Sequence, residues 1–334
     1  TSAEGFDVPL PKRPWIARFS PDGRWLAIVE AAVGDDSGSL VMIDVKSAQM
    51  VWEAAVQPPP PTYYRGFECS PWPIEFDGDS REVLVSLSDR SLVGIDVRTG
   101  RQTRTYLPAS DAPIARIQRM PDGRHVFVAR LNPERFVVDC RSGETSTLRF
   151  ERDIFRFGMC RTARGDLWLL NSLATRQNFL TASEAADATV VLDDCAERTV
   201  FSAAVSPDGQ YLALGGEGRI IYCWDLVGGG RVKKFVGHEG IIVDLTFSPD
   251  GRTILSHGAD EMVRLWHVTT GAELLRLGTP DERITCMGLN PVGDLLVLGV
   301  ERDGRYGLQL HRLRKNRNAL PKTIAGPPPK AAGR

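Results

Sequence analysis

Ser256, His238 and Asp260 carry the side chains of a nucleophilic relay: a hydroxyl, an imidazole to take its proton and a carboxylate to hold the imidazole. The remaining histidines are at 125, 257, 267 and 311, and none forms a paired metal motif. Six cysteines lie at 69, 140, 160, 195, 223 and 286, without a Cys-x-x-Cys pair or a Cys/His cluster of zinc spacing. They read as small, reduced, buried strand residues. The acidic pairs Asp35-Asp36, Asp193-Asp194 and Asp281-Glu282 lack the spaced oxygens of a calcium loop and read as solvated charge. There is no Gly-x-Ser-x-Gly elbow and no phosphate loop, and Gly228-Gly229-Gly230 sits where a turn is due. No catalytic residue, cofactor or metal is expected.

The elements that must position these residues repeat along the chain. Phe19-Ser20-Pro21-Asp22-Gly23-Arg24 returns as Val205-Ser206-Pro207-Asp208-Gly209-Gln210 and Phe247-Ser248-Pro249-Asp250-Gly251-Arg252. Weaker copies centre on glycines 78, 123, 165 and 293, giving steps of 55, 45, 42, 44, 42 and 42. An apolar residue followed by Asp or His closes each unit: Ile43-Asp44, Ile95-Asp96, Val138-Asp139, Trp224-Asp225, Trp266-His267 and Leu310-His311. In the fourth unit the same offset falls on Leu180-Thr181. Between these marks, residues such as 242 to 248 alternate with the two-residue period of a strand. The Pro-Asp-Gly corner suits a tight turn, since Pro fixes φ and Gly accepts positive φ. A period in the low forties is that of a propeller array, in which small sheets bury their faces against one another.

Repeat six carries a family resemblance in full. Gly237-His238, Ser248-Pro249-Asp250-Gly251, Asp260 and Val263-Arg264-Leu265-Trp266 resemble the WD-repeat β-propeller pattern, and the resemblance spans about residues 15 to 315. It implies an all-β fold, a seven-bladed β-propeller with four antiparallel strands per blade. Blades are expected near 15–56, 63–107, 112–150, 153–193, 199–236, 240–278 and 283–324. Residues 1–14 form an N-terminal segment and 325–334 a Pro/Gly-rich tail. Glu4 to Val8 and Ala319 to Ile324 are rival candidates for the outer strand that closes the ring. The resemblance also implies that His238, Ser256, Asp260 and Trp266 form a buried structural tetrad, which removes the serine from any substrate. Repeat five departs at Gly218 and repeat two at Ile95. His257, next to Ser256, must face the other way on its strand.

Function is sought on the rim. In the family, the loops from strand two to three and from strand four to the next blade gather on one face. Here the former run from Ala31 to Ser39, Ser86 to Ser91, Arg130 to Arg135, Asn171 to Arg176, Gly215 to Arg219, His257 to Glu261 and Gly299 to Tyr306. The candidate partner-binding residues are Tyr63, Tyr64, Arg65, Arg135, Arg219, Glu301, Arg302 and Arg305. The first three follow four prolines in the longest inter-repeat step, and Tyr and Arg dominate interface hot spots. Such a mixed ring reads a partner's charge pattern. Net charge is −1, which offers no field for nucleic acid, although Arg312, Arg314, Lys315 and Arg317 make a basic run. No apolar run reaches the roughly 20 residues of a spanning helix. Seven of the 41 basic residues are lysine, a bias that fits a GC-rich, bacterial genome. The chain opens at Thr1 without a signal-like stretch, and is expected to be a cytoplasmic domain or subunit of a larger assembly. The leading expectation is a non-enzymatic scaffold for a protein or peptide in a signalling, assembly or defence complex. The alternatives are a propeller enzyme, with Asp89, Asp260 and Asp303 near the channel mouth, and a nucleic-acid-binding propeller.

Overall fold

The computed structural model describes residues 7–31, 38–56, 62–64, 67–69, 74–120, 122–130, 132, 134–148, 154–162, 165–172, 177–181, 190–191, 200–228, 232–279 and 281–313. The chain begins with β1 (Asp7–Leu10). Strands β2 (Arg13–Phe19), β3 (Trp25–Ala31), β4 (Gly38–Asp44) and β5 (Gln49–Val56) pair in order as an antiparallel sheet. A separate hairpin follows, β6 (Thr62–Tyr64) with β7 (Phe67–Cys69). The second sheet is β8 (Ile74–Phe76), β9 (Glu82–Ser86), β10 (Leu92–Asp96) and β11 (Gln102–Leu107). The third is β12 (Ile114–Arg119), β13 (His125–Arg130), β14 (Arg135–Asp139) and β15 (Thr145–Leu148). Backbone pairing alone defines β16 (Ile154–Thr162), β17 (Gly165–Ser172), β18 (Gln177–Thr181) and β19 (Val190–Val191).

The next sheet is β20 (Val200–Val205), β21 (Tyr211–Gly216), β22 (Ile220–Asp225) and β23 (Val232–Val236). It is followed by β24 (Ile242–Phe247), β25 (Thr253–Gly258), β26 (Val263–His267) and β27 (Glu273–Leu277). The last sheet joins β28 (Arg283–Leu289), β29 (Leu295–Arg302) and β30 (Arg305–Arg312) to β1 from the chain's start. Blades of four antiparallel strands are thus the building unit, and six of these sheets have described side chains.

Two boundaries from the sequence need correction. The second blade begins at Ile74 rather than residue 63, because Thr62–Tyr64 pairs with Phe67–Cys69 while Ile74–Phe76 pairs with β9. The last blade ends its chain-terminal strand at Arg312, and its outer place is filled by Asp7–Leu10, with Asp7 opposite Gln309. The rival closing segment at 319–324 lies outside the described residues.

The two recurrent sequence marks are both turn devices on one end of the blades. In the Ser-Pro-Asp-Gly corner the serine accepts from the strand that follows, as in Trp25 N–H to Ser20 Oγ (2.9 Å) and Thr253 N–H to Ser248 Oγ (3.0 Å). The serine hydroxyl donates in turn to the aspartate, at 2.5 Å for Ser206 and Asp208. Each closing aspartate caps the next turn: Asp96 Oδ1 accepts from the N–H groups of Arg98 (3.0 Å) and Thr99 (2.8 Å). Asp44, Asp139 and Asp225 do the same. Gly293 has φ +76, and a Cβ there would meet Pro249 of the preceding blade's corner at 2.6 Å. Adjacent corners therefore lean directly on one another.

Apolar alternation packs the blades face to face. Ala27, Val29, Leu40 and Met42 meet Phe76, Val83, Val85 and Val93 between the first two blades. Leu26, Ile28, Val41 and Ile43 meet Val297, Leu308 and Leu310 of the last blade, which joins the ends of the chain. Polar staples cross seams between blades as well. Trp52 Nε1 donates to Val97 O (2.8 Å), and Ser202 Oγ accepts from Leu245 N–H (2.9 Å). The innermost strands β2, β12, β16, β20, β24 and β28 each carry a register shift near their start, between Ile242 and Asp244 in β24, for example. Such bulges sharpen the strand's local twist.

Candidate functional site

The relay residues are brought together. His238, just after β23, directs Nδ1 to Asp260 Oδ1 at 2.9 Å and Nε2 to Ser256 Oγ at 2.7 Å. Trp266 Nε1 donates to the same hydroxyl at 2.8 Å. One proton assignment satisfies every group: Trp266 donates to Ser256, Ser256 to His238, and His238 to the Asp260 carboxylate. Burial opposes ionisation of Asp260, but the hydrogen bonds from His238 and the Glu239 N–H outweigh it and hold its pKa at about 2. Ser256 is 0% exposed, and Trp266, with Phe235 edge-on at 5.9 Å, closes over it. A nucleophile so enclosed reaches no substrate, and the relay is a structural strut.

Two neighbours extend it. Arg264 donates to Glu273 Oε2 (2.7 Å) and lies 3.8 Å from Asp260. His257 faces the opposite side of β25, where its Nε2 meets Ile284 O at 3.0 Å. Burial pushes the His257 pKa down, which keeps the ring neutral across that seam. In the preceding blade Leu214 occupies the position of Ser256 and Trp224 stacks on Tyr222 at 5.9 Å, so apolar packing replaces the strut.

Strand alternation puts the turns β9–β10, β13–β14, β21–β22, β25–β26 and β29–β30 at the end opposite the Pro-Asp-Gly corners, with the links between blades. Four of these turns hold a charged residue at positive φ: Arg90 (62°), Arg219 (59°), Glu261 (62°) and Asp303 (50°). In the first, Arg90 N–H bonds Leu87 O (2.8 Å) and Leu87 N–H bonds Ser91 O (3.1 Å). The left-handed region costs an ordinary residue about 1–2 kcal/mol. Sequence reading named Arg219 as a partner-binding candidate and Asp303 as a channel-mouth carboxylate, but missed the backbone conformation that the four positions share. The available signal was a charged side chain, in each of four aligned turns, at the place where glycine fits best.

The remaining candidates separate. Arg219 is exposed at its turn. Arg302 and Arg305 lie directly opposite each other across β29–β30, and Glu282 relieves their repulsion by pairing with Arg302 and accepting from Gln309 (2.7 Å). Glu301 lies 3.7 Å from Arg13 of the first blade. Arg283 and Glu261 pair at 2.6 Å between neighbouring blades. Arg135 is a correction: it is 2% exposed, and its guanidinium donates to Arg130 O (3.0 Å) and Glu134 O (2.8 Å). It braces a loop rather than facing a partner. Arg130, equally buried, donates to the carbonyls of Arg90 (2.9 Å), Ala112 (2.7 Å) and Pro108 (3.0 Å), tying the second blade's turn to the link that follows it. Above that tie lies an open cleft of about 450 Å³ lined by Ser88, Asp89, Arg90, Ala109, Ser110 and Asp111.

Tyr63 and Tyr64 lie in the β6–β7 hairpin, and Arg65 falls outside the described residues. Among the described residues, no group of three His, Cys, Asp or Glu side chains could hold a metal, and no helix is long and apolar enough to cross a membrane. Cys140, Cys223 and Cys286 are buried and free, with burial pushing each thiol up to about 12.

The family model described as WD domain, G-beta repeat, matches residues 188–225 and 229–267. Transcription initiation factor TFIID subunit 5 of Caenorhabditis elegans is 23% identical over 58% of this chain and 34% of its own length. Serine-threonine kinase receptor-associated protein of Homo sapiens is 36% identical over 23% of this chain and 22% of its own. An uncharacterized WD repeat-containing protein of Synechocystis is 30% identical over 38% of this chain and 37% of its own. The chain thus spans little more than a third of these relatives at most. Four-stranded blades, the His238–Trp266 strut and both comparisons agree in making this chain similar to WD40-repeat proteins.

Proposed function

We propose that this chain is a non-enzymatic scaffold that closes as a ring of seven blades and binds a protein or peptide partner on its turn-bearing face. The observation that carries this reading is the set of charged residues held at positive φ on that face: Arg90, Arg219, Glu261 and Asp303. Backbone strain persists where the surroundings over-determine it, and it gathers at sites that recognise ligands. The mixed signs of the face suit a partner of matching charge pattern rather than a polyanion. By name, one relative is a subunit of TFIID and another is receptor-associated, which fits a role inside an assembly.

Two of the three carboxylates raised for an enzymatic reading are engaged in local hydrogen bonds. Asp89 is held by the Ser91 hydroxyl (2.6 Å), and Asp260 by His238. A cytoplasmic complex in a bacterium is the setting we propose, on the arginine-rich composition.

The test is affinity capture from the native host with quantitative mass spectrometry. Arg219→Glu combined with Arg305→Glu should abolish co-elution, whereas Arg24→Glu with Arg252→Glu, on the corner-bearing face, should leave it unchanged. Loss with the second pair alone would move the binding face. Retention with both pairs would refute rim recognition. Alanine at Tyr63 and Tyr64 should weaken capture as well if the hairpin takes part.

A further inference from the structure

The seam that joins the chain's two ends contains a buried acid without a partner. Glu30 is 0% exposed, and neither carboxylate oxygen has a hydrogen-bond partner. It sits near the end of β3, in register with Ser39 on β4 and Pro14 on β2. Proline has no N–H to offer. Strand alternation places Glu30 on the face that Leu26 and Ile28 present to the last blade and to Val8 and Leu10 of β1. An ionised carboxylate in such a place is expensive unless paired.

The charged groups around it come from several elements. Lys12, in the link between β1 and β2, places its ammonium 3.2 Å from the hydroxyl of Ser39, Glu30's cross-strand neighbour. Its main-chain N–H acts on the carboxyl electrostatically without reaching hydrogen-bonding geometry. Glu53 on β5 is a like charge in reach. Arg13 of β2 is engaged with Glu301 of β29 at 3.7 Å. Burial first, then Glu53, raises the Glu30 pKa from 4.5 to about 7, against the opposing pull of Lys12.

We propose that Glu30 is a proton-operated latch on the ring-closing strand: neutral, it stays dry in the seam, and ionised, it draws in water or the Lys12 ammonium and loosens β1 from β30. The sign follows from linkage. A carboxyl that binds its proton more tightly when folded gives stability that is present at low pH and fades as pH rises from 4.5 through about 7. The clasp is therefore firmest in mild acid and weakest in mild alkali. It acts beside the place where β1 completes the last blade through four paired residues, Asp7 to Leu10 against Tyr306 to Gln309.

Hydrogen exchange of the β1 and β30 amides, corrected for intrinsic rates, tests this at about pH 5.5 and about pH 8.5, either side of the shifted value. The opening constant should rise at least about tenfold in the wild-type chain and stay flat in Glu30→Gln. Lys12→Met should move the midpoint upward, because it removes the charge that favours ionised Glu30. A flat wild-type profile, or a Glu30→Gln profile that moves like wild type, would overturn the latch. Carboxyl NMR titration of Glu30 in the unsubstituted chain gives a direct second reading, and a midpoint near 4.5 would overturn it equally.

Discussion

Replacing Ser256 with alanine removes one oxygen on which two buried groups depend. Trp266 Nε1 (2.8 Å) loses its acceptor and His238 Nε2 (2.7 Å) loses its donor. Trp266 is 2% and His238 6% exposed, so surface water does not replace the hydroxyl. Leaving a buried polar group unpaired costs about 1–3 kcal/mol. Two such groups give about 2–6 kcal/mol, a large part of the roughly 5–15 kcal/mol that holds a domain folded. Urea unfolding followed by tryptophan fluorescence and circular dichroism would measure the loss. In a Trp266→Phe background one orphan is already gone, so the second substitution should cost about 1–2 kcal/mol less. A loss below about 1 kcal/mol, or no coupling in that cycle, would show that the relay does not hold the blade together.

Two further perturbations probe the same framework. Asp260 keeps its proton off down to about pH 2 when folded, so its share of stability is present above its ordinary value of 3.8 and fades as pH falls through about 2. Acid unfolding of Asp260→Asn should lack that component, and an unchanged acid profile would refute the assigned hydrogen bond. Arg130→Met strips donors from the carbonyls of Arg90, Ala112 and Pro108 and should lower stability by about 2–4 kcal/mol. Protease cleavage between residues 108 and 112 should rise in that variant, and an unchanged digestion pattern would show that the tie is dispensable.

Much of the fold was legible because the sequence states its local turns. Ser20, Ser206 and Ser248 accept from a backbone N–H five residues on, and Asp96 caps the turn just ahead of it, so each motif carries its own geometry. The strut was legible for the same reason, since a known pattern fixed four residue types at four positions. The rim was not. Arg135 has the composition of a binding residue, and only the packing around it shows that its guanidinium serves carbonyls inside its own blade. Tyr63 falls where the repeat spacing would start a blade, yet its strand pairs with Phe67–Cys69.

Repetition is a local property, and the chain's spacing determined by itself that it would build small four-stranded sheets with corners and caps at fixed places. What lies between sheets is decided by contacts that span from tens to hundreds of residues. Asp7–Leu10 meets Tyr306–Gln309, His257 reaches Ile284, and Glu30 enters a seam that no neighbour in sequence can neutralise. Alternation tells which side chains share a face but leaves open what that face meets, and burial, pairing and charge state are set only once the blades close on one another.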